Sequence, residues 1–199
     1  MTLLEEIPRE TFREASIPVL ETQRLVLRAP RLEDAKVVAA LANDRRIAEN
    51  TARIPHPYKM TDAEHFISAA NKPGGEAVFL ITLRDETIIG ACGIVNQEQP
   101  GELGYWLGVP YWGKGFATEA LHAVIDYAFT DLGHDALQAG ARVTNPASRR
   151  VLEKCGFQWT GVGLYRIRAI NSSAPIDRFR LERRVWSALK DWGRMTRAS

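Results

Sequence analysis

Between Gly108 and Glu119 the chain reads GVPYWGKGFATE, a glycine-rich turn lodged between an apolar, strand-like stretch and an amphipathic, helix-like one. Glycines at 113 and 115 leave no side chain to hold an anion away from the main-chain N–H groups. The first turn of a following helix adds unpaired donors that carry partial positive charge. A diphosphate suits that geometry. Taken alone, the glycines also fit a plain strand-to-helix connection in which they only relieve steric strain. Gly108, Gly113 and Lys114 satisfy most of the pattern of a nucleoside-triphosphate loop as well. That loop, however, needs Ser or Thr immediately after its lysine to hold magnesium, and here the residue is Gly115. No later strand ends in an aspartate suited to the second magnesium contact: Asp126 falls on the polar face of a helix and Asp135 precedes a strand. Nucleotide hydrolysis is therefore set aside.

The other nucleophile-bearing residues point elsewhere. Cys92 and Cys155 have no histidine in a recognisable arrangement nearby and lack the spacing of a disulfide framework or a metal site, so neither a covalent cysteine mechanism nor a bound metal is expected. The 199 residues are long enough for one substantial core, and 45% hydrophobic with 25% charged residues is ordinary globular composition. A net charge of +2, from 26 basic and 24 acidic side chains, is far from that of a protein that tracks nucleic-acid phosphates. Any anionic ligand must be met locally. The opening MTLLEEIPRE lacks the basic and apolar blocks of a secretory signal, and no apolar run approaches membrane-spanning length. A soluble, cytoplasmic protein without nucleic-acid or membrane partners is the expectation.

The elements that must carry the turn follow from periodicity. Residues 1–18 read as a lead-in segment, and 19–199 as a single domain. LETQRLVLRAP alternates around Leu25 and Leu27 as a strand, stopped by Pro30. Leu32, Ala35, Val38, Ala39 and Ala42 recur at helical spacing. The proline-bounded loop around His56 precedes a second helix, for which Thr61 and Glu64 have capping-box spacing. A hairpin follows from Ala77 to Val95, and then a strand, GELGYWLGV, in which Gly104 and Gly108 hint at a close backbone approach. Beyond Gly115, Ala117, Leu121, Val124, Ile125, Ala128 and Phe129 hold a helical stripe that Gly133 closes. Ala136 to Thr144 reads as a strand, and Asn145-Pro146 starts another helix. Strands at Phe157 to Tyr165 and Asp177 to Val185 come last, with a short basic helix from Trp186. Helices interleaved with a mostly antiparallel sheet define a mixed α/β class.

With that order in place, ELGYWLGVPYWGKGFATEAL at Glu102 to Leu121 and NPASRRVLEKCGF at Asn145 to Phe157 together resemble the GNAT superfamily of acetyltransferases. Within it the likeness is to the branch that acetylates ribosomal-protein amino termini. The likeness covers about Leu20 to Val185. It implies the acyl-CoA N-acyltransferase fold, in which the fourth and fifth strands splay and receive the pantetheine arm of acetyl-CoA. Main-chain groups of Leu107 and Val109 would then pair with the pantetheine amides, the bare Gly108 between them allowing the cofactor's close approach. The N–H groups from Gly113 through Lys114, Gly115, Phe116 and Ala117 to Thr118 would hold the pyrophosphate, in a cofactor-binding motif that opens at Trp112. Asn145 and Ser148 would contact the arm from the other side. The family often places Gln or Arg where this chain has Trp112, and its commonly used tyrosine has no counterpart between Asn145 and Gly156. A homodimer is common in the branch.

What the resemblance implies chemically is transfer of acetyl to an amine by direct attack in a ternary complex. A carboxylate such as Glu102 would take the ammonium proton or attract the cation, and Ser148 would supply a hydrogen bond or proton to sulfur. Both also have plain structural readings: Glu102 as an exposed residue at a strand start, and Ser148, like Asn145, as part of a helix cap. His56 and Tyr58 are the candidates for lining the acceptor site. Arg149, Arg150 and Lys154 would either meet the ribose phosphate or form a solvated basic face. The acceptor is open between protein N-terminal α-amines and small-molecule amines. The alternative function is a non-catalytic acyl-CoA sensor that keeps the binding fold.

Overall fold

The expected alternation of Leu25 and Leu27 into the core is present, but LETQRLVLRAP does not run as one strand. It folds back on itself, so that β1 (Leu20–Glu21) pairs antiparallel with β2 (Leu25–Arg28). Thr22 makes the reversal: its N–H donates to the Leu25 carbonyl, and its Oγ1 accepts from the Leu25 N–H. The structure, a computed structural model, describes residues 17–72, 74, 76–95 and 100–195, with side chains to residue 192. The lead-in expected over 1–18 thus lies almost wholly outside the described residues.

After a single 3₁₀ turn come α1 (Ala35–Ala42), a short α2 (Arg45–Ala48) that periodicity could not show, and α3 (Met60–Ala70). The capping box expected from Thr61 and Glu64 is not the one used. The helix begins at Met60, and Asp62 Oδ2 accepts from the Lys59 N–H at 2.9 Å, so the carboxylate that answers the free donor sits two residues earlier than Glu64. The sheet continues with β3 (Ala77–Leu83), β4 (Ile88–Val95) and β5 (Gly101–Leu107). Then follow α4 (Phe116–Thr130), β6 (Ala136–Arg142), α5 (Pro146–Lys154), β7 (Gln158–Ile167), β8 (Ser172–Glu182) and α6 (Arg183–Met195). The last strand therefore starts earlier, and the last helix three residues sooner, than the sequence pattern indicates.

The eight strands among the described residues form one sheet in the order β1-β2-β3-β4-β5-β6-β8-β7. Every neighbouring pair is antiparallel except β5 and β6. Phe79, Ile81, Cys92, Ile94, Leu103 and Leu107 face α4, whose Leu121, Val124, Ile125 and Phe129 are fully buried against them. Leu80, Ile88 and Ala91 face the other way, onto Val38 of α1 and Ile67 of α3. Helices on both faces explain why β3 is an unbroken apolar run rather than an alternating one.

The parallel pair is short. Gly101, Glu102 and Leu103 of β5 match Leu137, Gln138 and Ala139 of β6, and the pairing stops there. Beyond that point Gly104–Leu107 and Gly140–Arg142 each keep an antiparallel partner on the outer side and none on the inner side. The sheet opens into a V between them.

Candidate active site

The turn at the head of α4 is shaped by its glycines. Gly113 and Gly115 have φ of 74° and 81°, in the left-handed region where a side chain is strained. A Cβ added at Gly113 would meet nothing within 4 Å, so the surface over this residue is open. Among the described residues, no acceptor takes the main-chain N–H of any residue from Gly113 to Thr118; the first internal donor is Glu119, to the Gly115 carbonyl. These donors form a cluster at the positive end of a 15-residue helix.

The loop is fastened from the first strands, which the sequence reading did not find. Glu119 accepts from the Thr22 hydroxyl, the Arg24 N–H and Arg24 Nε at 2.7, 2.8 and 2.6 Å. Arg24 also donates to the Lys114 carbonyl at 3.0 Å and lies 4.6 Å over the Phe116 ring. Burial works against a charged Glu119, yet the bonds from Thr22 and Arg24 outweigh it and hold the carboxyl below its ordinary value of 4.5. A lowered folded value means the carboxylate stabilises the fold fully above the ordinary range, and that support is lost as pH falls through the folded value. Glu119→Gln is therefore expected to cost about 1–2 kcal/mol at pH 7. The gap to the unaltered protein should narrow steadily below about pH 4.5. Thermal melts of both proteins across pH 7 to 3 check this.

Where the V opens, the two expected catalytic residues lie on opposite faces of the sheet. Glu102 shares a face with Gly104 and Trp106, the side of α1 and α3; its charge is felt by Arg53, which is itself bonded to both oxygens of Glu76. Tyr105 points to the opposite side and reaches the start of α5, where its hydroxyl donates to Ser148 Oγ at 2.9 Å. Burial pushes the Tyr105 phenol up to about 12, the Ser148 bond opposing the shift only in part, so it remains a neutral donor. Asn145 caps α5, its Oδ1 accepting from the Ser148 N–H at 3.1 Å. Tyr105 was not singled out from the sequence because strand alternation shows only that it points inward; its pairing with a serine 43 positions away is a tertiary fact.

The Leu107 carbonyl accepts the Trp112 indole N–H at 2.8 Å, and the Val109 carbonyl accepts the Trp112 main-chain N–H, so Trp112 braces the turn against β5. Tyr58 is buried between α1 and α3, which pushes its phenol up to about 12. His56 is exposed in its loop. Arg149 is engaged by Glu153 and Asp177. Lys154 instead lines an open recess of about 500 Å³ with Gln23, Gly115, Thr118, Glu119 and His122, beside the turn. Cys92 and Cys155 are buried and their thiols pushed up by that burial, Cys155 to about 12, which disfavours the nucleophilic thiolate. No group of His, Cys, Asp and Glu among the described residues gathers as metal ligands. No described helix is long and apolar enough to cross a membrane.

A mixed sheet that parts at its one parallel pair, beside a helix whose first donors are free, is the architecture of an acyl-CoA N-acyltransferase. Residues 24–158 match the acetyltransferase (GNAT) domain, and the chain belongs to that family of acetyl-CoA-dependent acetyltransferases. The N-acetyltransferase p20 of Bacillus licheniformis is 34% identical over 149 residues, covering 72% of this chain and 84% of the relative. The N-acetyltransferase YoaA of Bacillus subtilis is 29% identical over 153 residues, covering 73% and 85%. Among solved structures, Mycobacterium smegmatis RimJ in complex with CoA-disulfide superposes with a TM-score of 0.72 at 22% identity, over 85% of this chain and 88% of that one. Spermidine N-acetyltransferase from Vibrio cholerae, in complex with CoA and spermine, gives 0.71 at 22% identity, over 83% and 99%.

Proposed function

We propose that the protein moves acetyl from acetyl-CoA to a primary amine, either a protein N-terminal α-amine or that of a small molecule, by direct attack within a ternary complex. The observation that carries this reading is the set of unclaimed N–H groups from Gly113 to Thr118, next to a sheet opening wide enough to leave main-chain groups of β5 and β6 unpaired. Those donors suit a pyrophosphate, and the unpaired strand segments suit the amides of a pantetheine arm. The carbonyls of Leu107 and Val109 are held by Trp112, and both main-chain groups of Gly108 by Ile89 and Tyr111, so these residues, with Asn145 and Ser148, would border the arm rather than bond it through those atoms. Acetyl-CoA supplies the activated acyl group as a thioester. The solved relatives in complex with acetyl-CoA, CoA or CoA-disulfide favour the same use of this fold.

The protein's own residues divide the proton work across the sheet. Glu102, on one face, accepts the proton that an alkylammonium or α-ammonium must lose before it can attack. Ser148, on the other face, donates a hydrogen bond to the departing sulfur. Tyr105 acts through Ser148 as a positioning residue: it donates to Oγ, which leaves the serine hydroxyl hydrogen to point away from it into the V. Tyr105→Phe is expected to lower kcat about tenfold, with the KM for acetyl-CoA nearly unchanged. If the tyrosine works only through the serine, adding Tyr105→Phe to Ser148→Ala should produce no further loss, which steady-state kinetics of the three variants would show. His56, exposed in its loop, is assigned to the rim of the acceptor side, whereas Tyr58, packed between α1 and α3, supports that rim from within; a reducing cytoplasm is the setting in which this chemistry and two free buried thiols fit together.

The test is incubation with acetyl-CoA and a panel of peptides, polyamines and small amines, following thiol release and locating the transferred group by mass spectrometry. Acetylated amine and stoichiometric CoA support the assignment. Tight binding of acetyl-CoA with no transfer to any amine would make the chain a sensor instead.

A further inference from the structure

On the face of the sheet that carries Glu102, the register sets two arginines beside the mouth of the V. Gln138, Gly140 and Arg142 alternate to this face along β6, and Arg178 of β8 stands directly opposite Gly140. Arg142 is opposite Ile176, which makes Arg142 and Arg178 diagonal neighbours, about 7–8 Å apart at the backbone. Of the other arginines on this side, Arg53 has Glu76 and Arg180 has Glu182, while Arg168 lies farther off, toward Tyr58 and the Ala52 carbonyl. Arg142 and Arg178 have none among the described residues.

Each is nonetheless held in place. Arg142 Nη1 donates to the Glu49 carbonyl at 2.8 Å, while its Nε, buried, has no acceptor among the described residues. A buried donor left without an acceptor is costly, and an incoming anion would relieve that cost. The Arg178 guanidinium lies along β7, with its carbon 5.4 Å from the Tyr165 ring centroid. It occupies the space over Gly163, where any Cβ would overlap it. Tyr165 and Gly163 thus fix the cation without neutralising it. Gly140 lines the V on the same strand and face as Arg142, exposed and without a side chain, with Arg178 one strand behind it; across the V stands Gly104, over which a Cβ would meet nothing within 4 Å.

We propose that Arg142 and Arg178 form an anion-binding subsite for the acceptor, so that the amine taken by this enzyme carries a carboxylate or phosphate a short distance from its reactive nitrogen. Guanidinium forks match both groups bidentately. The inference deepens the transferase reading and rests on it for the amine end only. An acidic residue near a peptide N-terminus and the phosphate of a small aminoalkyl phosphate are the two sources of that shared chemistry.

The test is calorimetric titration of the CoA-saturated protein with the peptides Ser-Asp-Glu-Ala and Ser-Lys-Lys-Ala, and with aminoethyl phosphate and spermidine. At least one anionic probe should bind about tenfold or more tightly than its cationic counterpart, and the peptide and phosphate arms tell which source is used. Arg178→Gln should erase most of that preference while leaving CoA affinity unchanged, and Arg142→Gln should do the same. Equal or tighter binding of the cationic probes, no binding of either anionic probe, or a preference that survives both substitutions would overturn the proposal. Anion-selective binding without thiol release would leave the subsite standing and sink the transferase assignment instead.

Discussion

Gly113→Val is expected to weaken acetyl-CoA binding about a hundredfold while the protein stays folded. The glycine sits at φ 74°, where a β-branched residue pays roughly 1–3 kcal/mol of backbone strain or rotates out. Either outcome misdirects the donors on both sides of it, and each charge-assisted bond to a phosphate is worth about 1.5–3 kcal/mol. A valine that keeps the backbone in place would instead stand where the anion must approach, since nothing in the protein now fills that space. Gly133 provides the control: it has nearly the same φ, 73°, and equally open surroundings, but it closes the far end of α4. Gly133→Val should carry a similar stability cost with unchanged affinity. Calorimetry on the two variants decides the matter, and undiminished binding by Gly113→Val would contradict the assignment of the turn.

Glu102→Gln is expected to lower kcat/KM at neutral pH by about 10² to 10³, within the range that a positioned general base contributes. Affinity for acetyl-CoA should not change. The deficit should shrink as pH rises towards the ordinary value of the acceptor, about 8 for an α-amine, because solvent then removes the proton the carboxylate would have taken. A loss confined to the KM of the amine and constant with pH would assign Glu102 to cation binding alone. The profile of kcat/KM against pH, measured for both proteins from 6 to 10, separates the two roles.

Features that depend on local pattern were legible in the sequence. The stripe from Ala117 to Phe129 buries as its spacing indicates, and the turn from Gly113 to Gly115 has the left-handed backbone its glycines permit. Paired motifs at Glu102 and Asn145 pointed to the family to which residues 24–158 belong. What escaped notice depends on contacts far apart in the chain. The reversal at Thr22 is invisible in LETQRLVLRAP because the alternation continues through it, and part of what holds it is Glu119, 97 residues away. Asp62 displaced the predicted Thr61 and Glu64 cap because two competing carboxylates lie within one helical turn, and only the approach of the chain decides between them. The starts of β8 and α6 were misjudged because Ser172, Ser173 and Pro175 look like turn residues; pairing with the long β7 extends the strand through them.

The joint between β5 and β6 spans only three residue pairs, and among the described residues it is the only ladder connecting the five strands before it to the three after it. The sheet is thus two leaves bound along a very short spine. Opening the book a little costs few hydrogen bonds, whereas laying an extended, amide-bearing chain between its pages supplies the missing stitches to both. In such a molecule the cargo is also part of the binding.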